Sequence, residues 1–251
     1  MKILTLNLYR YYENWEKRKN LIVKYIQEQN PGIIFLQECF DDARYNTPKN
    51  NQAIQLNKKL NYKECVYDIA EKLCTEREKP ITASVFDGLG CLSRFEIIEK
   101  NKISLKKSKD DKHFRIIQRF LFKINKKKFL FYHTHYSNRD GWAREHLKET
   151  IQLANKEKLQ PIIVGDLNIR LTEDIQKFTK SKYLNSWEIK DYISYPSEEE
   201  VLDYVLIPKT MKFINILCDK DGLSDHRPLV VEINESILKT NRNLKNGDLN
   251  S

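Results

Sequence analysis

The sequence has no paired-cysteine pattern. Its five cysteines, Cys39, Cys65, Cys74, Cys91 and Cys218, are odd in number, scattered and never spaced as CxxC. That argues against a disulfide framework or a cysteine zinc site and fits a reducing, cytoplasmic setting. A long apolar run is also missing: nothing approaches the ~18 residues that a spanning helix needs, so no stable membrane insertion is expected. The opening MKILTLNLYR is too short in apolar residues for a signal-peptide core and carries no small-residue cleavage site. No linker, repeat or low-complexity break interrupts residues 1–234. The expectation is one soluble, monomeric domain over 1–234 and a polar, disordered tail over 235–251.

What is present is enough for a core. The chain has 251 residues, 40% of them hydrophobic, which argues against global disorder. Lys+Arg 44 against Asp+Glu 35 gives a net charge of +9. A basic balance favours polyanionic partners, although lysine is spread along the whole chain and marks no single face. KILTLNL (2–8) alternates as a strand, with Ile3, Thr5 and Asn7 on one face. NWEKRKNLIVKYIQEQN (14–30) reads as an amphipathic helix with Trp15, Leu21, Ile22, Tyr25 and Ile26 as its stripe, stopped by Asn30-Pro31-Gly32. GIIFLQE (32–38) is continuously apolar, as a strand buried on both faces would be. Residues 41–58 are turn-rich and give no clear element. ITASVF and GLGCLSRFEII, with Asp87-Gly88 between, read as a hairpin over 81–98.

KKSKDDKHF (106–114) reads as a loop, and RIIQRFLFKI (115–124) and KFLFYHTHYS (128–137) as two strands joined by a tight turn. Asp140 or Asn138 is placed to cap a helix through 142–159, with Ala143, Leu147, Ile151 and Ala154 on one side. PIIVGD (161–166), VLDYVLI (201–207), MKFINIL (211–217) and PLVVEI (228–233) read as strands, and 171–195 as mixed helix and loop. Strands outnumber helices and recur to the end. The fold class expected is α/β, a four-layer sandwich of two packed mixed β-sheets flanked by helices.

Polar residues gather where these apolar strands end: Asn7, Glu38, His135, Asp166 with Asn168, Asp203, and Asp225 with His226. Each alone reads as a turn residue or a satisfied core group. Six segments that each put a reactive group at a strand end are another matter. Buried unpaired, such groups would cost several kcal/mol each, so they are expected to meet. Oxygen ligands from Glu38, Asp225 and Asn7 suit Mg²⁺ or Mn²⁺ and suit zinc poorly. Asp166 and Asn168 share a side, where an acid could activate water and an amide could steer it. Asp203 could orient a neighbouring histidine.

These motifs, in this order, resemble the endonuclease/exonuclease/phosphatase superfamily, the deoxyribonuclease-I-like fold. TLN (5–7), IIFLQE (33–38), GCLSR (90–94), THYS (134–137), GDLN (165–168), LDYVL (202–206) and SDHRPL (224–229) carry the resemblance, which spans residues 1–233. It implies that Glu38 binds the divalent metal, with Asn7 and Asp225 in the same metal and phosphate site. It implies that Asp166 is the general base or orients the water, and that Asn168 contacts the phosphate or the nucleophile. His135 and His226 would stabilise the pentacovalent phosphorus, with Asp203 paired to His226. His133 has no place in the motif and reads as structural. Arg94, Arg119, Arg170 and Arg227 read as solvated and stay outside the site.

The sequence departs from specialised branches. Thr-His-Tyr replaces the usual Thr-His-Leu, Tyr9 stands where abasic-site endonucleases carry an acid, and their Trp-Asn-Gly pattern is missing. The first functional reading is a Mg²⁺-dependent phosphodiesterase on nucleic acid, its backbone held by basic loops at 106–112 and 126–128. The second keeps the chemistry on a small phosphoester, an inositol phosphate or a lipid head group. For lipid, the tyrosine-rich YRYYENW (9–15) would be an apolar rim, although it also reads as a helix lead-in. A non-catalytic adaptor would need the site residues lost, and none is.

Overall fold

The computed structural model describes residues 1–235 except 48, 77–78, 108, 110 and 112, so the expected tail beyond 235 lies outside the described residues. β1 (Lys2–Asn7) leads through α1 (Trp15–Gln29) into β2 (Ile33–Asp42). α2 (Gln52–Leu60), β3 (Glu64–Lys72), the short strands β4 (Thr75–Glu76) and β5 (Lys79–Pro80), and β6 (Val85–Ser93) follow. Next come β7 (Glu96–Ser104), β8 (Ile116–Ile124), β9 (Lys127–His135), α3 (Asp140–Ala154) and β10 (Ile162–Asp166). The rest is α4 (Thr172–Thr179), β11 (Tyr183–Asn185), α5 (Ser186–Ile189), β12 (Asp203–Pro208), β13 (Met211–Leu217) and β14 (Leu229–Glu235).

Two six-stranded mixed sheets result, ordered β13-β14-β1-β2-β6-β3 and β11-β12-β10-β9-β8-β7. The alternation along β1 sets the layers. Ile3 points into the core between the sheets, with Phe35, Phe120, Phe131, Val164 and Val231. Leu4, Leu6 and Leu8 point outward to Ile22 and Ile26 of α1 and Leu56 of α2. On the far side, Tyr132, Ile163 and Leu206 pack against Ala143, Leu147 and Ile151 of α3. Helices, sheet, sheet, helices is the expected four-layer order. No helix among the described residues is long and apolar enough to cross a membrane.

Several local expectations are corrected. Asp87 and Gly88 are not a turn: they lie inside β6, which pairs with β2 on one side and β3 on the other, while β7 joins the opposite sheet. Gly88 is needed because a Cβ there would run into the Asp68 carbonyl and the Tyr67 ring. The unassigned stretch 41–58 holds the end of β2 and most of α2. Leu21 is 40% exposed, and Arg18 takes its place on the buried stripe of α1. α3 begins after Arg139 with no side-chain cap at that position, and ends at Ala154. Asp203 opens its strand and does not lie inside it.

The topology places the chemistry at one edge. Each sheet contains one parallel pair, β1 with β2 and β9 with β10. Asn7, His135 and Asp166 close three of these strands, while Glu38, expected at a strand end, lies inside β2 just past the last β1–β2 pair, Asn7 with Gln37. Antiparallel β12 and β14 start at that edge, so Asp203 lies opposite Asp166, and the loop before Leu229 lies beside the end of β1. Carboxyl ends of strands are where ligands bind in open α/β sheets.

Candidate active site

Asp166 is the hub. Its Oδ2 accepts from Asn7 Nδ2 at 3.0 Å, and its Oδ1 accepts the backbone N–H of Asn168 at 3.0 Å. Around Oδ2 stand His135 Nε2 at 3.5 Å and His226 Nε2 at 3.9 Å. Burial, with the nearby Asp203 charge, pushes the Asp166 carboxyl up to about 7, against the pull of His226 and Asn7. Gly165, the residue before Asp166 in β10, has to be glycine. Its φ is +140°, and any Cβ would collide with the Thr134 backbone on β9. Asn168 sits at φ +50°, a left-handed position asparagine tolerates, and its Nδ2 donates to the Tyr136 carbonyl at 3.1 Å.

His226 faces Asp203 across 2.7 Å, Nδ1 to Oδ2. Burial disfavours its charge, but the Asp203 carboxylate outweighs that and carries the imidazole up to about 10. Ser194 Oγ accepts the Asp203 N–H at 3.0 Å and Tyr192 donates to its carbonyl at 2.9 Å, so the carboxylate is held from its backbone. Asp203 Oδ1 is buried without a partner. The Tyr195 ring packs on His226 at 4.9 Å.

Glu38 is aimed by a bulge. The register of β2 against β6 slips between Leu36 and Cys39, and Glu38 adopts φ +43°, a strained value for a non-glycine residue. Its Oε2 accepts from Arg10 Nε at 3.3 Å. Asp225 is half-buried and accepts from Ser224 Oγ at 2.9 Å. Burial raises its pKa, and the Glu38 charge adds to the rise. Two oxygen-only acids that repel one another fit a hard divalent cation. Asn7 pairs with Gln37, one residue before Glu38, and its Oδ1 accepts the Tyr9 N–H at 3.0 Å and keeps a second lone pair. A second acid cluster exists: Asp166, Asp203 and His226 offer ligand atoms within 4.8 Å of one another. There His226 Nδ1 and Asp203 Oδ2 hold one another at 2.7 Å, while Asp203 Oδ1 has no partner, so this cluster and the carboxylates of Glu38 and Asp225 both offer oxygen ligands.

Two arginines at the site were not expected from the sequence. Arg10 packs over the Phe40 ring at 4.8 Å as it meets Glu38. Arg115 is buried and its Nη1 meets His135 Nδ1 at 2.9 Å. The hairpin pattern held the signal for Arg115, because β8 and β9 pair with Ile117 opposite Thr134, which puts residue 115 beside the end of β9. The four arginines left out are engaged elsewhere: Arg94 over Tyr62, Arg119 on Glu157, Arg170 on Glu200 and Arg227 on Asp221. His133 is buried between Gln37 and Gln118, away from Asp166. A cleft of about 750 Å³ opens beside Glu38, lined among others by Tyr9, Arg10, Tyr12, His113 and Phe114. A larger one, about 910 Å³, lies around Arg170, Trp187 and Arg227 and holds none of the expected site residues.

The sequence matches the profile of the Endonuclease/Exonuclease/phosphatase family over residues 4–226. The chain belongs to this family. No curated protein matches the sequence. Among solved structures, an endonuclease/exonuclease/phosphatase family protein from Leptotrichia buccalis C-1013-b is similar at 16% identity and TM-score 0.75, over 93% of this chain and 99% of that one. D. rerio TDP2, complexed with single strand DNA product, is similar at 14% identity and TM-score 0.71, over 93% and 98%. A mannosyl-6-phosphatase from Bacteroides thetaiotaomicron VPI-5482 is similar at 18% identity and TM-score 0.66, over 93% and 99%. At these identities the likeness shows the fold. Members of the endonuclease/exonuclease/phosphatase family are phosphoesterases, typically dependent on a divalent metal.

Proposed function

We propose that this phosphoesterase, with residues 1–234 as its catalytic unit, is a divalent-cation-dependent phosphodiesterase that hydrolyses nucleic acid by attack of water on phosphorus. The observation that carries the reading is Asp166, a buried carboxyl flanked by Asn7, His135 and the His226–Asp203 pair, with its pKa raised by burial and by the Asp203 charge. Burial and the neighbouring Asp203 charge raise the proton affinity of this carboxyl, which suits a general base. The hydrogen bonds from Asn7 and the Asn168 backbone fix its two oxygens, so the water's proton has one place to go. The Asn168 side chain steers the water or the phosphate. His226, held as a cation by Asp203, offsets charge that builds on the phosphoryl oxygens, and His135 donates to them. Glu38 and Asp225, with Asn7 beside them, would hold Mg²⁺ or Mn²⁺, which supplies Lewis-acid stabilisation to the phosphate.

Nucleic acid is favoured by the cleft beside Glu38. Tyr9, Tyr12 and Phe114 offer aromatic faces there, next to the charge of Arg10. Stacking faces with cationic neighbours are how single strands are bound without base readout. A second reading, a phosphatase or phospholipase-type hydrolase on a small phosphoester, an inositol phosphate or a lipid head group, is favoured by Glu71 and Glu76 in the same cleft. Those acids oppose a long polyanion.

The test is a panel of DNA, RNA, inositol phosphates, sphingomyelin and sugar phosphates, each with Mg²⁺, Mn²⁺ or chelator. Expected are cation-dependent cleavage of a polynucleotide and a loss of about 10²–10⁴-fold in kcat for Asp166→Asn. Turnover of small phosphoesters alone gives the second reading, and equal rates for wild type and mutant remove Asp166 from the chemistry.

A further inference from the structure

Arg115 is an expensive residue to place where it is. It is buried, only 7% exposed, and its Nε has no hydrogen-bond partner. Burying a guanidinium is costly unless carboxylates satisfy it. The Asp87 and Asp111 carboxylates act on it through space, but its hydrogen-bond partner is a histidine ring nitrogen, His135 Nδ1, at 2.9 Å. A guanidinium has N–H donors and no acceptor, so this bond runs one way, from Nη1–H into the Nδ1 lone pair. The Nδ1 atom therefore carries no hydrogen, and the single proton of the neutral ring sits on Nε2. An imidazolium would set an N–H against an N–H and a cation against a cation.

We propose that Arg115 is a positioning residue that locks His135 as the neutral Nε2–H tautomer, so that His135 acts on the substrate as a hydrogen-bond donor and never as an acid or base. The proposal rests on the phosphoesterase reading above for the word substrate, while the tautomer itself does not. The Nε2–H faces the Asp166 Oδ2 at 3.5 Å, the side from which a phosphate oxygen would be reached. The remaining charged groups around the ring act in the same direction. Burial is the largest cause that disfavours charge on His135, and Arg10 from the segment after β1, His113 from the loop before β8 and His226 from the loop before β14 add to it; among the described residues the Asp166 carboxylate on β10 is the acid in contact.

The two site histidines thus have opposite polarity. His226 Nδ1 faces a carboxylate at 2.7 Å, whereas His135 Nδ1 faces a guanidinium at 2.9 Å. One ring is set up to carry charge at the phosphoryl group and the other to donate a hydrogen bond without bringing charge. The register places Arg115, just before β8, beside the end of β9 where His135 stands.

Long-range proton–nitrogen correlation spectra of histidine-labelled protein decide it, with five histidines to assign. In wild type, His135 should show a bare Nδ1 and a protonated Nε2, unchanged between about pH 5.5 and 8.5. Arg115→Met should release the ring: both tautomers appear, and the ring titrates nearer its ordinary value of about 6.5. On the substrate that the panel identifies, the same variant should lose about 10–100-fold in kcat with little change in KM. Its kcat profile should gain an ionisation on the acid side, and Arg115→Lys should recover part of the rate. A proton on Nδ1 of His135 in wild type, or a wild-type ring that titrates near neutral pH, overturns the proposal even if no substrate is found. A raised KM with unchanged kcat in Arg115→Met overturns it too, and makes Arg115 a phosphate contact.

Discussion

His133 and His135 stand two residues apart on β9, both buried, and are held by different chemistry. His133 donates from Nδ1 to Gln118 Oε1 at 2.7 Å and accepts from Gln37 Nε2 at 2.6 Å. Gln37 continues to Thr5 at 2.9 Å and Gln118 to Asp68 at 2.8 Å, so a polar chain crosses between the sheets. Among the described residues no acid pairs with His133, and burial pushes its pKa down to about 3. The unfolded ring titrates near 6.5, so between these values the unfolded chain binds the extra proton. Stability is whole above about 6.5 and drains as pH falls toward 3, by about 1.4 kcal/mol per unit for this one group. Chemical denaturation at pH 7 and at about pH 5 should therefore show a loss smaller by about 2 kcal/mol in His133→Gln than in wild type. An equal loss in both proteins would mean that His133 is not buried neutral. The sequence placed this histidine outside the motif, but its glutamine partners come from two other strands and no local pattern points to them.

Elements carry the site through a second buried arginine. Arg18 of α1 donates to the carbonyls of Leu8 at 2.7 Å, Arg10 at 3.0 Å, Tyr12 at 2.7 Å and Leu223 at 3.1 Å. One guanidinium thus ties the segment after β1, with its positive-φ residues Tyr9 and Arg10, to the loop that presents Asp225 and His226. Arg18→Met would leave these carbonyls unpartnered and should cost about 2–5 kcal/mol in urea unfolding, with Arg18→Lys recovering a part. An unchanged midpoint for Arg18→Met would show that the loops hold themselves. β1 was legible from its alternation, β2 from its continuous apolar run and α1 from its helical stripe, apart from Leu21 and Arg18. The hairpin expected over 81–98 failed because Asp-Gly marks a turn in most chains, while here Gly88 answers to the close approach of β3. Arg18 was passed over because charge reads as surface. Its spacing from Ile22 and Tyr25 puts it on the buried stripe all the same.

At the scale of the whole molecule, the distribution of charge can be tied to the site edge. Of the described lysines in the two basic loops, Lys107 lies toward that edge. Lys107 packs over the Phe114 ring at 3.8 Å, on the rim of the cleft beside Glu38. Lys126, Lys127 and Lys128 sit at the other end of the β8–β9 hairpin. β9 runs from Lys127 to His135, and at about 3.3 Å per residue that is roughly 25 Å from the catalytic edge. The +9 charge read from composition therefore splits into lysines beside the site and lysines remote from it. For the proposed polynucleotide substrate, removing one lysine–phosphate pair should flatten the log–log salt dependence by about 0.7 for a single strand. Lys107→Gln with Lys109→Gln should weaken binding and lower that slope by one to two such steps. Replacing Lys126, Lys127 and Lys128 together by Gln should leave both nearly unchanged for an oligonucleotide shorter than the distance between the two loops. If the remote lysines moved the slope as much as the near ones, binding would be a diffuse effect of net charge, and the cleft beside Glu38 would lose its claim to the strand.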